Sequence, residues 1–411
     1  MWCVDFIMWQ PCLLWKGKRI MHDTKQFQNK VKTPAYVIDE TLMIKNLEIL
    51  KQVREKTGAK ILLAQKAFSM FSLYPLISQY LDGTTASGLY EAKLGREKMG
   101  NREVHVYAPA YKESDMEQLV EICDHIVFNS PKQWEKYKSI VQQAQHSISC
   151  GIRINPEYAE VETDLYNPCI AGSRLGTTLS QLQDANLEGI DGLHFHTMCE
   201  QDADVLWRTV QIVDEKFEPF LRKMKWINFG GGHHITKDGY QMEYLEKSIQ
   251  LFQEKYNLTV YLEPGEAIAL NAGFLVSEIL EVMDNHKKIA ILDTSAACHM
   301  PDVLEMPYYP IILQENQVCK HVEGTSEAQR PFVYRLGGPT CLAGDVIGDY
   351  GFAEELKEGK RLVFCDMAIY TMVKNNTFNG MPLPSIYLYT KEKELKLIKE
   401  FSYENFKARL S

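Results

Sequence analysis

One lysine occupies a sequence position where amine chemistry is expected. Lys66 lies near the carboxyl end of the short apolar run Lys60–Phe68, which is typical of a buried strand. Because loss of hydration disfavours an ammonium group, a lysine there can lose its proton near neutral pH and form a Schiff base with an aldehyde. Taken alone, a strand-end lysine that extends into water is the commoner case. Other polar residues of the chain favour the first interpretation.

Several further residues with chemical potential lie at the ends of apolar runs. They are His194 and His196, the triplet Gly230–Gly232, and Glu263. Each also has an ordinary explanation, because a glycine triplet is most often a tight turn and a histidine in an apolar run is most often a hydrogen-bonded core residue. A lone glutamate is most often a helix cap or one half of an ion pair. No member of this set is specific by itself.

Eight apolar runs alternate with helical patterns through the first two thirds of the chain. The predicted strands are Lys60–Lys66, Thr84–Ala86, Val104–Ala108, Ile126–Phe128, Gly151–Asn155, Gly192–Thr197, Trp226–Phe229 and Thr259–Leu262. Alternating strands and helices predict a parallel sheet, and eight strands in about 200 residues favour a closed (β/α)8 barrel of the TIM type. Catalytic residues of such barrels lie at the carboxyl ends of the strands, where all the residues above fall.

A nucleophilic lysine, a flat imidazole, a glycine turn and a carboxylate are therefore expected at one end of one barrel. Pyridoxal phosphate needs all four from a protein. Lys66 would hold the aldehyde, Glu263 would pair with the pyridine nitrogen, and His196 would stack on the ring. The glycine triplet would offer backbone N–H groups to the phosphate. The combination predicts an enzyme that stabilises a carbanion, as decarboxylation requires.

The pattern changes after Ala272, where β-rich segments replace the helical ones. We predict an N-terminal strand segment at 22–39 that joins a C-terminal β-domain at 273–411, and a cofactor-binding barrel at 40–272. Residues 1–21 are treated as an extension outside the fold, with Met21 as the preferred start. Their positive charges follow the apolar residues, whereas in a signal peptide such charges come first.

Composition excludes some classes of function. The chain has 411 residues, of which 45% are apolar and 24% charged, and its net charge is −9 at pH 7. Nucleic-acid binding is disfavoured, because it needs clustered Lys and Arg. The ten cysteines lack repeated CxxC spacing, so we expect reduced thiols in a cytoplasmic protein, with no disulfide framework and no metal site. No apolar run is long enough to cross a bilayer, and no membrane association is expected.

Short motifs along the chain carry a family resemblance. They are Ala64–Ala67, His194–His196, Gly230–Gly232, Leu262–Gly265, Gly338–Cys341, Ala368–Thr371 and Thr377–Gly380. As a set, they resemble the fold-type III pyridoxal-phosphate decarboxylases, the alanine racemase-like group that includes ornithine, arginine and diaminopimelate decarboxylases. The resemblance covers about residues 34–395. It implies a barrel with a C-terminal β-domain, and a head-to-tail homodimer whose two chains share each active site.

The resemblance also implies roles for single residues. One chain would supply the barrel residues named above, together with Gly265 and Tyr370 for the phosphate. The other chain would supply Cys341, which protonates the carbanion after CO2 leaves, and Asp345, which binds the distal amine. A buried structural thiol is the commoner fate of a cysteine, and that alternative stays open.

A few assignments beyond these remain candidates. Asp302 and Glu305 are candidates for the cationic end of the substrate. The arginines Arg153 and Arg174 are either structural or carboxylate-binding, and the sequence does not separate these roles.

Two segments, Cys298–Pro307 and Leu336–Asp345, are similar to the branch of this group that acts on carboxylated polyamines, carboxynorspermidine and carboxyspermidine. A departure at Glu266 supports that branch, because the amino-acid decarboxylases have Pro-Gly-Arg where this chain has Pro-Gly-Glu. A carboxylate near the phosphate is unfavourable unless a cation compensates, as an ammonium group of a polyamine would. Glu266 is therefore predicted to bind substrate.

Other functions remain possible on the sequence alone. The same fold could decarboxylate diaminopimelate, ornithine or arginine. A racemase is disfavoured, because it needs a second base in place of the protonating cysteine. A catalytically silent, regulatory relative would be expected to lack the lysine or the cysteine, and this chain has both Lys66 and Cys341.

Overall fold

The computed structural model describes residues 23–161, 163–306, 308–322 and 331–411. The chain divides into two compact units. Among the described residues, one unit combines 23–41 with Asn271–Ser411, and the other is Leu42–Leu270. The extension expected at residues 1–21 lies outside the described residues.

The unit Leu42–Leu270 contains a closed barrel of eight parallel strands. The first strand of the chain, β1 (Ala35–Asp39), lies in the other unit. The barrel strands are β2 (Lys60–Ala64), β3 (Gly83–Ala86), β4 (Glu103–Tyr107), β5 (His125–Phe128), β6 (Ser149–Arg153), β7 (Gly192–His194), β8 (Trp226–Asn228) and β9 (Thr259–Leu262). Neighbours in chain order pair in parallel, and β9 pairs with β2 to close the ring. The predicted (β/α)8 barrel is confirmed, although β2, β4, β6, β7 and β8 end one to three residues earlier than the sequence predicted.

Helices connect most of these strands. They are α1 (Glu40–Thr57), α2 (Tyr74–Ile77), α3 (Leu89–Lys98), α4 (Glu113–Ile122), α5 (Pro131–Gln142), α6 (Leu179–Leu182), α7 (Ala203–Leu221), α8 (Met242–Tyr256) and α9 (Glu266–Ala269). In α1, the apolar residues Met43, Leu47, Leu50 and Val53 recur every three or four positions, and all are buried. Within the described residues, no helix has both the length and the apolar character that crossing a bilayer requires.

The other unit is built on one mixed sheet. Besides β1, its strands are β10 (Gly273–Asp284), β11 (Lys288–Leu292), β12 (Ile312–Gln314), β13 (Gln317–His321), β14 (Phe332–Gly337), β15 (Val346–Phe352), β16 (Arg361–Cys365), β17 (Ser385–Tyr389) and β18 (Leu395–Lys399). The order is β11-β14-β15-β13-β12-β16-β10-β1-β17-β18, and β10 also pairs with β11, so part of the sheet curls back on itself. β1 pairs antiparallel with β10 and parallel with β17.

Short helices of this unit, which we call the sheet unit, carry the predicted site residues Asp302 and Glu305. They are α10 (Ala296–His299), α11 (Asp302–Glu305) and α12 (Thr371–Lys374), and α13 (Tyr403–Ala408) follows near the end of the chain. The hydroxyl of Ser295 starts α10 by accepting a hydrogen bond from the backbone N–H of Cys298, at 3.1 Å.

Side chains fill the barrel at the amino ends of its strands, which we call the floor. Leu62, Val127, Trp226 and Tyr261 pack together in the interior. Gly192 makes room for the largest of them, because a Cβ there would lie 2.0 Å from Cδ2 of Trp226. The opposite end of the barrel, at the carboxyl ends of the strands, is called the mouth.

Candidate active site

Lys66 lies in the mouth, in a turn directly after β2. The turn is formed by the N–H of Ala67, which donates to the carbonyl oxygen of Ala64 at 3.1 Å. The Lys66 side chain is exposed to solvent, and in the part of the chain that the structure describes its ammonium group makes no hydrogen bond or ion pair. Although solvent reaches the side chain, the dense surroundings of the mouth reduce the hydration of the amine and Arg153 adds a positive charge, so the pKa of Lys66 is lowered; Glu263 opposes this shift.

Glu263 follows β9 and supplies a fixed negative charge. Its side chain accepts hydrogen bonds from His194 Nε2 at 3.2 Å and from Asn228 Nδ2 at 2.7 Å, and the residue is 7% exposed. Burial alone would raise the pKa of Glu263, but the contacts with His194 and Asn228 outweigh it and hold that pKa at about 2. The carboxylate is therefore ionised at neutral pH and can pair with a protonated ring nitrogen.

The two histidines of the mouth have fixed protonation states. The Nδ1 atom of His196 accepts the N–H of Gly231 at 3.0 Å, so the ring proton lies on Nε2. Burial lowers the pKa of His196 well below its ordinary value, and the charges of Lys66 and Arg153 lower it further. Burial likewise lowers the pKa of His194, against the influence of Glu263. Both rings are neutral at pH 7, and His196 can offer an uncharged flat face.

The glycine triplet has no space for side chains. A Cβ at Gly231 would lie 2.4 Å from the carbonyl oxygen of Glu263, and one at Gly232 would lie 2.0 Å from that of Met198. Gly230 and Gly232 also have positive φ angles of 69° and 83°. These constraints bring backbone close to the mouth, as a phosphate-binding turn requires.

The backbone donors of the triplet are only partly available. Gly230 donates to Asn228 Oδ1 at 2.8 Å, and Gly231 donates to His196. Within the described chain, the N–H of Gly232 has no protein acceptor. The predicted cradle of three N–H groups therefore reduces to one, and the other two N–H groups hold Asn228 and His196 in place.

Arg153, whose role the sequence left open, forms part of the mouth wall. It ends β6, donates from Nη2 to the carbonyl oxygen of His196 at 3.0 Å, and lies over the ring of Tyr107, 4.6 Å from its centroid. Tyr107 in turn stacks on His194, with ring centroids 5.5 Å apart. Arg174 is exposed, and its carbonyl oxygen accepts from Asn129 Nδ2 at 2.9 Å.

Glu266 lies beside a histidine that sequence reasoning missed. Its Oε1 atom is 3.2 Å from Nε2 of His234, and both side chains are mostly buried. Burial opposes protonation of His234, but the neighbouring Glu266 carboxylate raises its pKa overall. A compensating cation for Glu266 is therefore available within the chain. The pair His233-His234 directly after the glycine triplet was the signal that could have indicated it.

In the sheet unit, Cys341 and Asp345 lie in a loop between β14 and β15. Cys341 is exposed, and its backbone N–H donates to Asn379 Oδ1 at 2.8 Å. Asp345 is only 4% exposed and accepts hydrogen bonds from Ser295 Oγ at 2.8 Å and from Thr340 Oγ1 at 2.7 Å. The assignment of Asp345 to a distal amine stays a prediction, and these contacts do not support it.

The two acidic candidates on α11 converge on one cation. Lys374 forms ion pairs with both Asp302 and Glu305, the second at 2.5 Å. Nothing in the sequence pattern indicates this lysine as a partner of the two carboxylates. Tyr370, predicted to contact a phosphate, directly precedes α12 and has a positive φ of 52°.

The mouth residues fit pyridoxal phosphate. The described chain leaves the Lys66 amine unpaired, and it holds Glu263 as an anion in a closed hydrogen-bond network with His194 and Asn228. The glycine turn leaves no room for a side chain but leaves one N–H without an acceptor. These are an amine for the aldehyde, an anion for the ring nitrogen and a donor for the phosphate.

Comparison with known proteins identifies similar sequences. A family model described as pyridoxal-dependent decarboxylase, C-terminal sheet domain, matches residues 35–368. A carboxynorspermidine/carboxyspermidine decarboxylase of Campylobacter jejuni is 44% identical over 93% of this chain and 100% of the relative. A carboxyaminopropylagmatine decarboxylase of Synechocystis sp. is 40% identical over 92% of this chain and 95% of the relative.

Solved structures are similar as well. The chain matches a crystal structure of carboxynorspermidine decarboxylase complexed with norspermidine from Campylobacter jejuni, with a TM-score of 0.84 and 42% identity over 92% of this chain and 100% of the other. A diaminopimelate decarboxylase from Helicobacter pylori complexed with L-lysine matches with a TM-score of 0.77 at 16% identity, over 94% and 98% of the two chains. The second similarity is one of fold.

Proposed function

The chain belongs to the pyridoxal-dependent decarboxylases, and from that premise we propose that it decarboxylates carboxynorspermidine and carboxyspermidine to norspermidine and spermidine. Relatives named for these substrates cover almost the whole chain at 44% and 34% identity. The observation that carries the proposal is that one barrel mouth contains both the Lys66 amine, which has no ion-pair partner in the described part of the chain, and the ionised carboxylate of Glu263.

Pyridoxal phosphate is the proposed cofactor, and when bound it supplies an electron sink for the charge left by the departing CO2. Lys66 would hold its aldehyde, and the lowered pKa of Lys66 favours the neutral amine needed for attack and exchange. Glu263 would keep the ring nitrogen protonated. Gly232, Gly265 and, by family resemblance, Tyr370 would bind the phosphate.

His196 would orient the cofactor ring rather than move a proton. Its Nδ1 lone pair is occupied by Gly231, and its low pKa keeps it neutral in the working pH range. Arg153 holds the backbone at His196 and lowers the pKa of Lys66, so it would act on the amine through its charge.

The substrate would bring two or more ammonium groups to the site. Glu266 is the barrel carboxylate proposed to receive one, with Glu200 within 4.8 Å of the same cluster. Asp302 and Glu305 are the carboxylates proposed for a further ammonium group, which would replace the ammonium of Lys374 that both of them now contact. By family resemblance, a second chain would complete each site with Cys341 as the proton donor in a cytoplasmic homodimer.

Product analysis tests the proposal. Purified enzyme reconstituted with pyridoxal phosphate is incubated with carboxynorspermidine, carboxyspermidine, carboxyaminopropylagmatine and diaminopimelate, and products are identified by mass spectrometry. We expect loss of CO2 from the first two at the highest kcat/KM. The Synechocystis relative named for carboxyaminopropylagmatine is 40% identical. A higher kcat/KM with that compound would make it the substrate in place of the two proposed. Preference for diaminopimelate would contradict the polyamine assignment.

A further inference from the structure

We propose that Asp345 and Asn379 are positioning residues that fix the Cys341 loop against α10, which directly precedes the segment bearing Asp302 and Glu305. The proposal rests on the proposed role of Cys341 as proton donor. It concerns three chain segments of the sheet unit: 295–299 at α10, the loop 338–345, and the turn 376–380. We call their hydrogen-bonded junction the clasp.

Asp345 joins the loop to α10. Its Oδ2 accepts from Ser295 and Thr340, and its Oδ1 accepts from the N–H of Ala297 at 3.3 Å. A buried carboxylate needs such donors, and removing one leaves it without compensation. These bonds use the acceptor capacity that a substrate amine would require.

The loop is also closed by its own backbone. The N–H of Gly338 donates to the carbonyl oxygen of Asp345 at 2.9 Å, and the N–H of Asp345 donates to that of Leu342 at 2.9 Å. A Cβ at Gly338 would lie 2.2 Å from Oδ2 of Asp345, so glycine is required for this approach. Both ends of the loop therefore depend on Asp345.

Asn379 fixes the loop at Cys341, the proposed proton donor. Its Oδ1 accepts the N–H of Cys341 at 2.8 Å, while the cysteine itself is exposed. Asn379 has φ 57° and ψ 16°, a left-handed conformation that Asn, Asp and Gly tolerate best. Its turn is held in place by Asn376, whose Nδ2 donates to the carbonyl oxygen of Ala297 at 2.8 Å.

The clasp links proton delivery to substrate recognition. α11, which carries Asp302 and Glu305, begins three residues after α10 ends at His299, so the loop and the acidic segment share one anchor. Because proton transfer needs hydrogen-bond distances, a small displacement of Cys341 lowers turnover more than binding. If Asp345 bound the substrate amine instead, its loss would raise KM.

The decisive comparison is between Asn379→Gly and Asn379→Asp in the full-length enzyme loaded with cofactor. Gly keeps the left-handed backbone but removes the acceptor, whereas Asp keeps both. We expect Asn379→Gly to speed hydrogen–deuterium exchange in the peptide containing Cys341 and to lower kcat by about tenfold, with KM changed less than about twofold. Asn379→Asp should restore both values to near those of the wild type.

A matched pair of serine variants separates positioning from stability. Ser295→Ala removes a hydroxyl that donates to Asp345 at 2.8 Å, and Ser277→Ala removes one that donates to Asp293 at 2.7 Å in the same unit. We expect both to lower the melting temperature and only Ser295→Ala to lower kcat and speed exchange of the loop.

Unchanged exchange of the Cys341 peptide in Asn379→Gly, or a rise in KM with kcat intact, overturns the proposal. Failure of the Asp variant to restore kcat also overturns it. A wild-type enzyme that decarboxylates none of the substrates refutes the proposed function instead, and hydrogen exchange still decides whether the clasp fixes the loop.

Discussion

The two ends of the barrel contain the same kinds of residue but arrange them differently. The floor has Lys60, Glu103, His105 and His125, and the mouth has Lys66, Glu263, His194 and His196. Each of these two sets comprises one lysine, one glutamate and two histidines.

At the floor, the lysine, the glutamate and one histidine are paired with one another. Lys60 pairs directly with Glu103, which also contacts His105 Nε2 at 2.9 Å. Burial alone would lower the pKa of Lys60, but Glu103 and Tyr261 raise it overall, so the amine stays charged. The rings of His105 and His125 stack with centroids 3.9 Å apart. The amine at the floor is therefore held in an ion pair with Glu103.

At the mouth, the lysine and the glutamate remain separate. Glu263 is satisfied by His194 and Asn228, and within the described residues Lys66 has no such partner. The pKa of Lys66 is lowered where that of Lys60 is raised. Residue types alone therefore do not identify an active site; the amine must be at the open end of the barrel and must lack an ion pair.

The largest effect expected from this comparison is at the two lysines. Lys66→Ala should reduce kcat/KM by roughly a thousandfold or more, because a covalent anchor is lost. The matched variant Lys60→Ala should keep most activity and lose about 1 kcal/mol of stability, because it leaves the half-buried Glu103 without its lysine partner. Steady-state kinetics and thermal unfolding of both variants test the contrast. Substantial turnover by Lys66→Ala would remove it from its proposed role.

The two glutamates provide the next comparison. Glu263→Gln removes the anion proposed to pair with the ring nitrogen, and kcat should fall by about 100-fold, as for loss of one aligned electrostatic contact. Glu103→Gln should lower the unfolding temperature, because the ion pair with Lys60 is lost, and should leave kcat within about twofold of the wild-type value. Equal losses of activity in both variants would show that the two ends do not differ as described.

A smaller effect is expected at Glu266. Glu266→Arg should raise KM for a carboxylated polyamine by about tenfold, since it puts a cation beside a cationic substrate and beside His234. Cofactor affinity, measured by titration of apoenzyme with pyridoxal phosphate, should change less. An unchanged KM would count against a substrate role for this carboxylate.

The smallest effect concerns acid stability at the floor. Burial, aided by His105, lowers the pKa of His125 to about 2, whereas its unfolded value is 6.5. Between these values the unfolded chain binds a proton that the folded chain does not, so stability falls as pH drops below about 6.5. His125→Gln should reduce the slope of unfolding free energy against pH by about 1.4 kcal/mol per unit between pH 6 and 4. Chemical denaturation at several pH values measures this slope. The same slope in His125→Gln and in the wild type would contradict the claim that His125 is neutral in the folded protein.

The barrel and the positions of its chemically interesting residues were predictable from sequence, because buried parallel strands are continuous apolar runs with polar residues at their ends. Strands β12, β13, β15 and β18 were not predicted. Of these, β18 (Leu395–Lys399) is mostly exposed, so it is defined by its pairing with β17 rather than by an apolar pattern. β12 and β15 are mostly buried, but β12 has only three residues and β15 is interrupted by Gly348, Asp349 and Gly351.

Partners of the site residues were harder to predict than the residues themselves. His234 beside Glu266, Asn379 beside Cys341 and Lys374 beside Asp302 are all distant in sequence from the residue they contact. The sequence places His233-His234 directly after the glycine triplet, which could have indicated a histidine near Glu266, but it offers no comparable signal for Asn379 or Lys374. It also could not show that two N–H groups of the glycine triplet are used internally.

Borohydride reduction of the protein with bound pyridoxal phosphate, followed by peptide mass mapping, identifies the lysine that binds the cofactor. We expect one covalent cofactor adduct, on the peptide containing Lys66, with Lys60 unmodified and the adduct absent in Lys66→Ala. An adduct on Lys60 or on another lysine, or no adduct after reconstitution, would contradict the assignment of the mouth as the active site.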